Sequence, residues 1–448
     1  MPGTTSPVPA TTGGLATVAA DNEKKGEEDA LDEEPKIRFD VPPAARRSLS
    51  QVGIIAEASG GYPAAAFGGT DGNFLKRALR LTTGPLASRW GTIMARRMLV
   101  SRTDTPANVN GADWVAERAW LLLRMGDSVT ARQLVQQVDA GRYTPRLLQV
   151  AMQSFLANGD LSGMCPLSDS GALLVKDMSW KMSRPICASL AGEQGTATSL
   201  LNQARSQGWA KGIDYLLAEK AVGAGIEGRR SVKIEWEKVQ TPSAWRLGLA
   251  AATGIEPPER LYQQTGRHVS GWRAQLPMLP VESRVKVSSE AAHLGVLSNR
   301  ALVDLYAQAY DDSDSSDATK ARADLLKTAY AGSSTSDRVS AMKSLWANAK
   351  PGADRHAMLI LTARAAAVLQ PTDDAKSVSD DLIASMFTAG FDRSAAGWLN
   401  VVDEGSLGWA LIAVGAPDNR RVSSGALDDF SGNDNSEAYH KSALLLAG

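Results

Sequence analysis

The sequence predicts an all-α protein, an α-helical solenoid or superhelix of helical hairpins with a disordered N-terminal tail. Three observations carry that expectation. From Asp71 onward apolar residues recur at i, i+3, i+4 and i+7, in pieces of roughly 10 to 16 residues that have the period and length of ordinary helices. The breaks between pieces are helix punctuation. Gly126, Gly159, Gly192, Gly208, Gly295 and Gly390 follow apolar helical ends, while Thr144-Pro145, Thr241-Pro242-Ser243 and residues 334–337 have the form of N-caps. Residues 1–50, by contrast, hold too few apolar side chains to offset the entropy of ordering them.

Taken in order, residues 1–50 are a Pro/Thr-rich opening, an acidic run over 21–34, then Pro35 and Pro42-Pro43. The acidity reads as a solvated linker before it reads as a docking site. Residues 51–84 are transitional: Gly60-Gly61, Pro63 and Gly68-Gly69 break any period, and a first helix over 74–81 follows a cap at Thr70 or Asp71. Residues 85–225 read as helical hairpins, with Trp114, Ala119-Trp120, Leu123 and Leu200-Leu201, Ala204 as typical apolar faces. Residues 226–448 continue as an irregular helical-hairpin array. Only residues 231–239 alternate in strand fashion, and one short run makes no sheet. An apolar helix over 438–447 stops at Gly448 with neither cap nor polar tail, the pattern of an array truncated at its C-terminus.

The turns carry a weak internal repeat. Gly126 is followed by Ala131 and Leu134, Gly192 by Ala197 and Leu200, and Gly390 by Ala395 and Trp398. The small residue lets the second helix cross close to the first, and the large one fills the gap one turn on. With Leu122-Leu123-Arg124-Met125-Gly126-Asp127-Ser128-Val129-Thr130-Ala131, echoed at Asn158-Gly159-Asp160 and Ala191-Gly192-Glu193, the stretch 112–205 resembles the tetratricopeptide (TPR) class. No steady 34-residue period runs along the chain and the family's later Pro and aromatic position are not regular, so the resemblance is to a degenerate TPR-like array. It implies stacked helical pairs with a concave binding face.

Charge and composition exclude several classes. Lys plus Arg number 48 against 49 Asp plus Glu, so no net field draws the chain to nucleic acid or anionic lipid. No stretch reaches the ~20 apolar residues of a transmembrane helix. The opening lacks the charged and apolar regions of a signal peptide, yet its Pro/Thr/Ala composition is common just after a removed one, which leaves export open.

The chemical motifs are sparse. Cys165 and Cys187 are the only cysteines and bracket one excursion, from Gly163-Met164 to a helix opening at Ser183-Arg184-Pro185. Three readings stand: a disulfide in an oxidising compartment, two buried thiols, or a redox pair, the last weakened by the lack of C-x-x-C spacing. With His268, His293, His356 and His440 scattered along the chain, no metal site is expected. Residues 223–228 fit G-x-G-x-x-G but follow a helix rather than a strand, so no nucleotide cofactor is expected. The loop 311–317 lacks the Gly and Glu of a calcium loop, and Ser283-x-x-Lys286 and Ser340-x-x-Lys343 lack their companion motifs. No catalytic residue emerges.

Among 11 tryptophans, Trp114, Trp120, Trp245, Trp346 and Trp398 fit core positions. Trp90, Trp209 and Trp272 stand beside Arg89, Lys211 and Arg273, as a platform for glycans or peptide aromatics would. The sequence therefore predicts a non-catalytic helical-repeat scaffold that binds a protein or peptide, with Trp90, Trp209, Trp272 and Arg273 as the binding platform. Its expected place is the bacterial envelope, with periplasmic placement resting on the cysteines and a cytoplasmic one as the alternative. A polysaccharide-binding or polysaccharide-processing superhelix or toroid, and a self-associating structural subunit, are the competing functions.

Overall fold

The computed structural model describes residues 41–84, 86, 88–225, 232–417 and 422–447. The acidic run and the second half of the G-x-G-x-x-G stretch lie outside the described residues. The chain is all-α: 64% of the described residues are helical, and they include 22 α-helices. Tail residues 41–50, assigned from composition to disorder, are placed. The Arg47 backbone N–H donates to the Asp139 carboxylate at 2.9 Å, and the Arg142 guanidinium donates to the Arg47 carbonyl at 2.8 Å. Backbone hydrogen bonds to a neighbouring segment order a chain that has no apolar period of its own. The same physics makes a two-residue ribbon of Gln51–Val52 with Thr103–Asp104, antiparallel.

The first helices are α1 (Gly72–Leu81), α2 (Arg89–Val100), α3 (Gly111–Arg124), α4 (Ser128–Val135), α5 (Pro145–Ala157), α6 (Ser168–Leu174), α7 (Met178–Leu190), α8 (Gln194–Ser206) and α9 (Ile213–Gly225). They continue with α10 (Ala244–Ala252), α11 (Glu259–Tyr262), α12 (His268–Gln275), α13 (Val281–His293), α14 (Asn299–Asp311), α15 (Asp317–Ala331) and α16 (Thr335–Ala347). The last are α17 (Ala353–Ala367), α18 (Ser379–Thr388), α19 (Asp392–Ala396), α20 (Leu407–Gly415), α21 (Ser424–Gly432) and α22 (His440–Ala447).

Local chemistry sets these boundaries. Asp71 caps α1 by accepting from Asn73 and Phe74 N–H, Thr144 caps α5, Ser243 caps α10 and Ser334 caps α16. All six glycines named as helix stops have positive φ. Two expectations are corrected. The alternating stretch is not a strand in its described part, 232–239, where the Arg260 guanidinium instead holds the Trp236 and Val239 carbonyls. The helix expected to open at Ser183 begins at Met178, capped by Asp177, and runs through Pro185.

Consecutive helices pack as neighbours, α3 on α4, α7 on α8, α15 on α16 and α17 on α18. The repeated small residues Ala131, Ala197 and Ala395 are fully buried where the paired helices cross. One core runs from Val52 to Ala250 and a second from Ala274 to Ile412. The array is not strictly nearest-neighbour, however. Helix α10 returns to α5, α12 lies against α4, and α2 reaches the ends of two distant helices. Arg89 donates to the carbonyls of Ala292, Leu297 and Thr388, and Trp90 Nε1 donates to the Phe387 carbonyl at 3.2 Å. Ala292, Phe387 and Thr388 lie at the C-terminal ends of α13 and α18, where a cation is favoured, and Leu297 lies in the turn between α13 and α14. The start of the helical array is thereby joined to its second core.

Candidate functional site

A depression runs over α3, α5 and the start of α7, each the first helix of a successive pair. On α3 the residues Asp113, Glu117, Trp120 and Arg124 fall on one face, and on α5 Arg146, Gln149, Val150 and Gln153 do the same. Two adjoining cavities share Trp120 and Gln153. One, of about 270 Å³, is closed by Arg124, His268 and Trp272; the other, of about 340 Å³, by Arg146, Asp177 and Trp180. Together they form one groove with indole and side-chain amide walls.

Its electrostatics centre on Glu117, which is 1% exposed. Arg80 Nη2 lies 2.5 Å and Arg146 Nε 3.0 Å from its carboxylate. Burial pushes the Glu117 carboxyl up, but the hydrogen bonds from Arg80 and Arg146 outweigh it and hold the group below its ordinary value. Arg124 feels the same carboxylate and spends its own donors on the Leu79 and Arg80 carbonyls at the end of α1. Two guanidinium groups, those of Arg80 and Arg146, thus bind one carboxylate, and Arg124 feels it without bonding to it. Arg146 also lies over the Trp120 ring, 5.7 Å from its centroid. Across the groove His268 meets Trp272 edge to face at 4.9 Å; burial, then Arg124, lowers its pKa, so its imidazole is neutral at pH 7. The groove presents aromatic faces and amides, with Arg80, Arg124 and Arg146 set against Asp113, Glu117 and Asp177.

The four residues proposed as a platform are held by different parts of the fold. Trp90, 46% exposed, clamps the end of α18, and Trp209 donates to Gln207 Oε1 at 2.9 Å. Arg273 is 4% exposed, paired with Glu256 at 3.0 Å and stacked on Tyr262 at 3.6 Å, so it serves packing and not a surface. Of the four, only Trp272 lines the groove, anchored by its Nε1 donating to the Leu123 carbonyl at 3.0 Å. Trp120, assigned to the core, is its half-buried centre. The polar spacing Arg146, Gln149, Gln153 in an otherwise apolar helix is the signal that marks the wall.

Cys165 and Cys187 form a disulfide, with Cα atoms 5.3 Å apart, inside the window of about 4.4 to 6.8 Å that such a bond requires. The histidines are less scattered than their sequence positions imply. His293 at the end of α13 and His356 on α17 meet, Nδ1 to Nδ1, at 2.8 Å. Among the described residues, no group of three or more His, Cys, Asp or Glu is arranged to hold a metal ion.

A second cleft, of about 500 Å³, is lined by Glu282, Lys286, Tyr306, Arg322, Lys350 and Asp354 among others. Two carboxylates face it. Arg322 binds Asp354 through two hydrogen bonds of 2.8 and 2.9 Å, and Ser316 N–H donates to Glu282 at 3.3 Å. In both, burial raises the pKa and hydrogen bonding, from Arg322 to Asp354 and from Thr319 and Ser316 to Glu282, more than reverses it. A carboxylate pair that cleaves glycosidic bonds needs one member with a raised pKa to give its proton, and neither of these has one.

The fold and groove define a class: an all-α helical array with an aromatic groove on the first helices of its pairs. The chain matches no known protein family, no curated protein and no solved structure.

Proposed function

We propose that this chain is a non-catalytic scaffold that binds an extended segment of a partner protein along the groove of α3, α5 and α7. The observation that carries this is the pair of adjoining cavities, of about 270 and 340 Å³, that meet at Trp120 and Gln153. Its indoles offer apolar area at low entropic cost, and its glutamines offer donors and acceptors for a backbone. The TPR resemblance supports the same face, and the disulfide fits an oxidising compartment such as the periplasm. A glycan-cleaving role draws no support from the second cleft, whose carboxylates are both held ionised.

A displayed library of random peptides selected against the full chain tests the proposal. Selected peptides should lose about thirtyfold in affinity against Trp120→Ala, a loss typical of a central aromatic anchor, and a smaller factor against Gln149→Ala/Gln153→Ala. Because Trp120 is half-buried, the glutamine pair separates binding from folding. Peptides that bind both variants as tightly as the unaltered chain would remove the groove from consideration.

A further inference from the structure

The two rings that meet across the second core, His293 and His356, do so in a particular way. Their centroids are 5.0 Å apart, about the most that an Nδ1 to Nδ1 approach of 2.8 Å allows, and their planes stand at 83°. The two nitrogens therefore point straight at one another, and one donates its proton to the other. Such a bond tolerates a charge on one ring and not on both. A first proton from solvent adds to Nε2 of the donor and leaves the bond in place; a second must go onto the accepting Nδ1, which sets two N–H groups face to face. We infer that this bond is an acid-released latch: once both rings are charged, the junction expels the Arg89 side chain, and the first half of α2 comes away from the ends of α13 and α18.

The charges around the pair decide which part yields. His293 lies in the last turn of α13, where a helix end favours a cation, and His356 in the first turn of α17, where it disfavours one. Burial, then His293 and Arg89, lower the His356 pKa to about 4; burial, then Arg96, lower that of Arg89 to about 10. No carboxylate is among the charges acting on either group. Those of the surrounding helices are engaged elsewhere: Asp354 of α17 by Arg322 of α15 and Ser289 of α13, Glu290 of α13 by Arg267, Asp381 of α18 by Arg355, and Asp304 of α14 by Arg300. With both rings charged, the junction holds three cations and no counter-charge. Helices α13 and α17 pack directly on each other and are joined by the Ser289 to Asp354 bond of 2.8 Å, whereas Arg89 is held by the neutral carbonyls of Ala292, Leu297 and Thr388. Over residues 89–94 Thr92 alone is buried, while the second half of α2 is kept by buried Leu99 and Val100 and by Arg96 on Asp127. The front of α2 is the part free to leave.

The test is amide hydrogen exchange of the full-length chain, read by mass spectrometry at about pH 7.5 and about pH 4.5 over a series of low urea concentrations. After correction for the intrinsic exchange rate, protection of residues 88–96 should fall on the order of 100-fold on acidification, because the released His356 takes its proton near the ordinary value of 6.5 and the latched one near 4. The fall should depend little on urea, as befits an opening that exposes far less surface than unfolding. His356→Gln and His293→Gln each leave a single ring with a neutral partner, and each should reduce the fall to less than about threefold. Unchanged protection of residues 88–96 in acid would overturn the latch, as would a loss confined to α13 and α17. So would a urea dependence equal to that of α4 and α5, which would mean that acid acts on the whole fold, or a fall of the same size in either variant.

Discussion

At the scale of single residues, the buried charges make definite statements about stability. Glu117 is ionised in the folded chain with its carboxyl held below the ordinary value, so its contribution is complete above the pH at which an unfolded glutamate titrates. That contribution disappears as the pH falls through the lowered folded value. Glu117→Gln should therefore cost on the order of 2 kcal/mol at pH 7 and progressively less as the pH falls below 4.5, as read by urea unfolding across that range. His356 provides a second case. Burial, then His293 and Arg89, push its pKa down to about 4, whereas the unfolded imidazole takes up a proton near pH 6.5. Stability should be flat above about pH 6.5 and fall between there and about pH 4, by on the order of 2 kcal/mol. His356→Gln should flatten that slope in thermal melts across the window; a slope of the same size in the variant would assign it to other groups. Arg118 is fully buried with no carboxylate, pushed down to about 9 by burial, and it donates to the Val52 and Ser101 carbonyls at 2.8 and 3.0 Å. Arg118→Met should free the ribbon of Gln51–Val52, seen as faster amide exchange there.

At the scale of elements, the turn between α3 and α4 shows how local rules and long-range packing meet. Gly126 has φ +85°, which a side chain disfavours, and an added Cβ would lie 3.2 Å from the His268 carbonyl and 3.5 Å from Gly271 Cα on α12. Next to it Asp127 caps α4 through Thr130 N–H and holds Arg96 Nε at 2.8 Å. Asp127→Ala removes cap and ion pair together and should destabilise by roughly 2 to 3 kcal/mol in chemical denaturation; a change below 1 kcal/mol would show that Arg96 finds another anion. Caps and stops of this sort were legible, because Ser, Thr, Asp and Gly act on the backbone within four residues of themselves. The groove was not. Trp120 sits among Ala119, Leu121, Leu122 and Leu123, so the apolar period absorbs it into the core, and only the packing of α5 across α3 leaves its ring half-open. Trp90 misled in the opposite sense, since its neighbour Arg89 read as a surface companion while its partners lie nearly 300 residues away. A sequence pattern reports which face of a helix is apolar and is silent on which distant helix meets it.

At the scale of the whole molecule, the all-α character and the helical pairing follow from periodicity, whereas closure of the array does not. Contact between His293 and His356, and the return of α10 to α5 and α12 to α4, bring together residues that a strict nearest-neighbour stack would keep apart. The disulfide acts at the same scale by closing a loop across a sequence separation of 22. Its reduction should lower stability by about 3 kcal/mol, measured as a shift of the denaturant midpoint with and without reductant; an unchanged midpoint would make the bond incidental to the fold. The clamp made by α2 has a consequence in time. Translation delivers Arg89 and Trp90 early, and 299 residues separate Arg89 from Thr388. At about 5 to 20 residues per second the nascent chain waits roughly 15 to 60 s before its last clamp partner is made. For that interval an aromatic ring and a cation on α2 stand without their acceptors.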